Sequence, residues 1–118
     1  MVPMKLDIIV RQGSSLMMTL VYRDQSTRFR KRPVDLTDHQ PAMQIRERFT
    51  NELILDLTDE YISIGDGIRG EIVLNVPTEV TEDLDFSNAL YDIEVITPEG
   101  DTHRLFEGSV YLSKEVTK

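Results

Sequence analysis

The chain has 118 residues, no cysteine, and a net charge of −8 from 13 basic and 21 acidic residues. That length suits one domain with its own core, and a composition 40% hydrophobic and 29% charged excludes intrinsic disorder. The missing cysteines exclude a disulfide framework or a thiolate metal site, and the acidic balance argues against broad nucleic-acid binding.

No stretch approaches the roughly 20 apolar residues of a membrane-spanning helix. The first seven residues lack the apolar run of a secretion signal, so the expected address is the cytoplasm in which the chain is made. Residues 6–11 (LDIIVR) are apolar and β-branched and read as a strand, which Gln12-Gly13-Ser14 interrupts. Residues 15–23 (SLMMTLVYR) read as a second strand, buried on much of both faces. Residues 24–32 are polar and basic without periodicity and read as a loop. Pro33-Val34-Asp35-Leu36-Thr37 is a short extended piece with Val34 and Leu36 on one side.

In residues 42–48, Met43 and Ile45 alternate with Gln44 and Arg46, the period of a half-buried strand. Leu53, Leu55 and Leu57 repeat that period, followed by a short Tyr61-Ile62-Ser63-Ile64. Gly65-Asp66-Gly67 marks a turn, the stretch from Gly65 to Gly70 reads as hairpin chemistry with glycines supplying positive φ, and Ile72, Leu74 and Val76 line one face of the next strand. Residues 77–84 hold the one helical turn, with Thr78 as its cap and an acidic first turn that suits the helix dipole. Residues 90–97 and 102–113 are strands joined by a Pro98-Glu99-Gly100-Asp101 turn, and Gly108 signals a bulge or a close backbone approach.

About seven to nine short strands, with turns every ten residues or so, give an all-β class: an immunoglobulin-like antiparallel β-sandwich spanning residues 1–118 as one domain. Tyr91, just after an acidic turn, is either a tyrosine corner bonded to the preceding connection or a core aromatic with its tip at the rim. With no cysteine pair and no tryptophan, a true antibody-type domain is excluded.

The search for catalysis finds no nucleophile elbow, no phosphate-cradling loop followed by a helix and no H-E-x-x-H. His39 and His103 read as surface polar residues. The acidic groups Asp56, Asp59, Glu60, Asp66 and Glu79, Glu82, Asp83, Asp85 lack the spacing of a calcium loop. The expectation is therefore a non-enzymatic protein without cofactor or metal. One local anomaly stands out: Arg28, Phe29, Arg30, Lys31 and Arg32, a basic loop on an acidic body. An aromatic between arginines suits a protein partner with an acidic surface, another copy of this chain included, and is the candidate partner-binding site.

Several segments, in order, carry a family resemblance: residues 6–14 (LDIIVRQGS), 33–37 (PVDLT), 43–46 (MQIR), 91–95 (YDIEV), and 98–100 with 105–110 (PEG, LFEGSV). Together they resemble the N-terminal domains of bacteriophage baseplate upper proteins, which are immunoglobulin-like sandwiches. The resemblance implies a virion structural protein of the tail or baseplate. It would be an adaptor or connector present in several copies, made in the host cytoplasm and incorporated with other virion proteins. No catalytic residue carries over. The rival reading is a carbohydrate- or receptor-binding sandwich module, and a small hydrolase or lyase is the weaker one.

Overall fold

A computed structural model describes residues 2–25 and 32–114. Nine strands follow in chain order: β1 (Met4–Lys5), β2 (Ile8–Arg11), β3 (Leu16–Val21), β4 (Gln40–Glu47), β5 (Leu53–Leu57), β6 (Ile62–Ile64), β7 (Glu71–Val76), β8 (Asn88–Ile96) and β9 (Thr102–Ser113). One helical turn, α1 (Thr78–Thr81), links β7 to the segment before β8. The larger sheet runs β1/β2-β9-β8-β4-β5 and the smaller runs β3-β7-β6. Consecutive strands thus divide between two facing sheets, the immunoglobulin-like sandwich expected from the strand count. Pairing is antiparallel except at the N-terminus, where β1 and β2 run parallel to β9.

Alternation builds the core. Met43 and Ile45 of β4, Tyr91, Ile93 and Val95 of β8, and Ile72, Leu74 and Val76 of β7 all point inward and are buried. Tyr22 and Phe106 meet edge to face with ring centroids 5.9 Å apart, joining the two sheets. Thr81 is buried too, and its hydroxyl donates to the Ser14 carbonyl at 2.7 Å, tying α1 to the turn before β3.

Several local expectations are corrected. The second strand is not buried on both faces: in β3, Leu16, Met18 and Leu20 turn inward while Met17 is 70% exposed and Thr19 is exposed. Leu53 leaves the face of Leu55 and Leu57. The β4–β5 register slips between Ile45 and Arg46, so Ile54 is an extra residue and Leu53 falls opposite outward-facing Arg46, 45% exposed. Pro77, not Thr78, is the residue before α1, and no side chain caps it. Of the glycines in the β6–β7 hairpin, Gly70 takes positive φ (70°), while Gly65 and Gly67 do not; Gly67 lies against Thr37 instead.

The first strand breaks at Leu6-Asp7, and the reason lies in β9. A Cβ on Gly108 would collide with the Leu6 carbonyl, so glycine there lets the N-terminal strand close onto β9. The break is then filled by hydrogen bonds. The Ser109 N–H donates to Asp7 Oδ1 at 3.0 Å, the Leu6 N–H donates to the Glu107 carbonyl at 3.0 Å, and the Tyr91 hydroxyl donates to the Leu6 carbonyl. Tyr91 is therefore a core aromatic whose hydroxyl bonds a strand 85 residues upstream, not the preceding connection. The β9 bulge itself falls at Leu105-Phe106, where both side chains are buried.

Candidate functional site

Of the basic loop, Arg28, Phe29, Arg30 and Lys31 lie outside the described residues. Arg32 is exposed, and its carbonyl accepts the Asp24 N–H at 2.9 Å. An isolated bridge pairs Arg23 with Pro33, so the foot of this loop is fixed at the end of the sandwich that carries Gly70.

The opposite end carries a feature that sequence reading did not single out. Residues 48–51 form the tip of the β4–β5 hairpin, and Phe49 there is 88% exposed. The tip is held stiffly. Glu47 Oε2 accepts the Phe49 N–H at 2.7 Å and the Thr50 N–H at 2.6 Å, and the Thr50 hydroxyl at 3.1 Å. The Thr50 amide, with the Phe49 amide, the Thr50 hydroxyl and Arg48 adding to it, holds the Glu47 carboxyl below the usual carboxylate range. Asn51 turns the chain at φ 63°, a conformation asparagine tolerates, and its carbonyl accepts Arg46 Nη1 at 3.1 Å. Arg48 is pinned to Asn88 Oδ1 at 2.9 Å and Ser109 Oγ at 2.7 Å. An aromatic on so ordered a loop loses little freedom on docking, which is how interface anchors gain affinity. The available sequence signal was an Arg-Phe-Thr-Asn run between two alternating strands.

Beside this hairpin the outer face of the larger sheet holds a depression of about 420 Å³. Gln44, Arg46, Asp92, Arg104, Glu107 and Gly108 line it. The polar groups largely satisfy one another: Arg104 lies 3.5 Å from Asp92 and 3.4 Å from Glu107, and Lys5 lies 2.9 Å from Glu107. Lys5, then Arg104, lowers the pKa of Glu107. Burial raises the Tyr91 phenol, and the nearby charges of Asp7 and Glu107 add to the rise.

His39 and His103 lie far apart in the chain and both are part-exposed; His39 Nδ1 sits 2.9 Å from the Thr37 carbonyl. Among the described residues no group of three or more His, Asp or Glu side chains is placed to hold a metal ion.

The sheet edges differ in how they end. β6 has three residues, β1 and β2 are broken at Leu6-Asp7, and β5 carries its bulge and Asp56. β3 is six residues long, straight in register with β7, and has neither charge nor proline.

No protein-family model matches the chain, and no curated protein matches its sequence. Among solved structures it is similar to CopC from Methylosinus trichosporium OB3b, at 10% identity over 95% of this chain and 88% of that one, TM-score 0.47. It is similar to murine CRIg at 11% identity over 93% and 92%, TM-score 0.42. A chain in a structure on T cell specificity and activation by the superantigen toxic shock syndrome toxin-1 aligns at 15% identity over 92% of each, TM-score 0.41.

Proposed function

We propose that this chain is a non-enzymatic structural protein of a tailed-phage virion, an adaptor or connector in the tail or baseplate. The phage assignment rests on the sequence resemblance. The assembly role rests on Phe49, an almost fully exposed aromatic on a hairpin ordered by Glu47 and Arg48. Such a side chain inserts into an apolar pocket of a neighbour at small entropic cost, while the acidic body keeps the free subunit in solution before assembly. Arg32, at the foot of the basic loop and at the other end of the sandwich, gives the same subunit a second contact point, as a connector requires. The reading assigns no catalytic residue.

A tagged chain recovered from its native lysate tests this, with the co-purifying proteins identified by mass spectrometry. Tail or baseplate proteins in fixed ratio are the expected result, and Phe49→Ala weakens that capture at least about tenfold without lowering the melting temperature. Recovery of the chain with no virion protein overturns the reading. The polar depression over Arg46, Asp92 and Arg104 favours one alternative, a module for a small polar ligand such as a glycan. A saturable isotherm with host-surface glycans, lost in Arg104→Ala, would put that reading first.

A further inference from the structure

Residues 12–22 (QGSSLMMTLVY) form the longest uncharged run in a chain that is otherwise 29% charged. The core accounts for Leu16, Met18, Leu20 and Tyr22, which point inward. It does not account for Met17 and Thr19, which are exposed on the outer face of the smaller sheet, where a charged side chain would cost nothing.

The backbone of the same residues supplies a reason. The Tyr22 N–H bonds the Gly70 carbonyl at 2.9 Å, and Val34 bonds the Tyr22 carbonyl at 3.1 Å. In an antiparallel pair, residues alternate between bonding the neighbour and pointing away. Along the β3–β7 register, Leu20, Met18 and Leu16 therefore bond β7, while Val21, Thr19 and Met17 aim their N–H and C=O groups at the open edge. Among the described residues no strand pairs with that edge.

A second copy of this chain fits it. With a twofold axis through Thr19, antiparallel pairing sets Thr19 against Thr19 and Met17 against Val21 of the other copy. Threonine pairs and apolar or β-branched pairs are favourable across strands, and no like charges meet. Over most of its surface an acidic body of net charge −8 repels its own copy, so an uncharged, self-complementary edge lets two strands approach without that repulsion. The other edges do not offer this, since each is short, broken or bulged. We infer that the bare edge of β3 is a self-docking edge, at which two copies pair β3 to β3 about a twofold axis at Thr19 and join their smaller sheets into one. This goes beyond the virion reading and does not need it.

Because the native chain has no cysteine, single cysteines read the register directly. Thr19→Cys places two thiols across a bonded antiparallel pair, about 5.5 Å between Cα atoms and within disulfide reach. Met17→Cys and Val21→Cys alone leave their thiols four residues out of register, about 13 Å apart along the strand and out of reach. The expected result under mild oxidation is a covalent dimer for Thr19→Cys, little for either other variant alone, and a crosslink when Met17→Cys and Val21→Cys are mixed. In sedimentation velocity at rising protein concentration, the unmodified chain forms a dimer that Thr19→Lys abolishes. Ile68→Lys, a change at an exposed apolar residue outside β3, leaves the dimer intact. A chain that stays monomeric, or equal crosslinking at all three positions, overturns the inference. Phe49→Ala keeps the dimer while losing the virion capture, so the two proposals fail separately.

Discussion

The two sheets of this sandwich treat their edges in opposite ways. On the larger sheet the N-terminal edge is broken at Leu6-Asp7 and locked onto β9 through Gly108, Ser109 and Tyr91, and the β5 edge is bulged at Ile54. On the smaller sheet β3 runs straight and uncharged, and among the described residues no strand pairs with its outward edge. A broken or bulged edge cannot template another strand, whereas a flat apolar one can. The contrast therefore separates edges built to stay closed from one left available, and each difference can be attacked by a single substitution.

The largest effect is expected at Gly108. Alanine there drives a methyl group into the Leu6 backbone, leaving the N-terminal strand no way to keep its register on β9. Urea denaturation should show a loss of about 3 kcal/mol, the upper part of the usual overpacking range. An unchanged midpoint would mean that the first strand is not held as described.

Tyr91→Phe comes next. It removes the donor to the Leu6 carbonyl and leaves a part-buried acceptor without that partner, a cost of about 1 kcal/mol. It also changes the pH dependence. The folded phenol titrates above its ordinary value near 10. Its contribution is thus fully present below pH of about 10 and falls away as pH rises past that point, where the unfolded phenol ionises and the folded one does not. Stability measured through the alkaline range should fall with pH in the native chain, and the slope should flatten in Tyr91→Phe.

Thr19→Lys should change the stability of the monomer by less than about 0.5 kcal/mol, because the side chain is exposed and its backbone donor bonds nothing in β7. If urea titration of dilute protein shows a large loss instead, β3 is closed within the subunit and the contrast between edges disappears.

The smallest effect is local to the hairpin before β5. Glu47 has its carboxyl lowered by the Thr50 and Phe49 amides, so its hold on the tip is full above the ordinary glutamate range and is lost as pH falls through that lowered value. Glu47→Gln should speed hydrogen exchange at the Phe49 and Thr50 amides at neutral pH without shifting global stability. Equal exchange in both chains would remove the ordering assigned to Phe49.

Much of the fold was legible in residue order. The alternation of β4, β7 and β8, the hairpin at Gly100, and the close approach at Gly108 follow from two-residue periodicity and turn chemistry, which are local properties. Leu53 was misplaced because a single bulged residue reverses every face before it, and no periodicity marks where register slips. Phe49 was passed over because exposure is a property of the folded surface. The basic loop drew attention by composition, yet only Arg32 of its five residues lies within the described part of the chain.

By itself, then, the sequence determined the class: short alternating strands and frequent turns admit little besides two packed sheets, since each strand must bury one face. Only the tertiary structure decided which edges close. Tyr91 finds its partner 85 residues upstream and Gly108 makes room for Leu6, a strand 102 residues earlier, and pairings that distant leave no local signature. Whether the outward backbone of β3 meets a neighbour depends on where every other strand has already gone. That is why an ordinary-looking run of uncharged residues becomes, among the described residues, an edge without a strand partner.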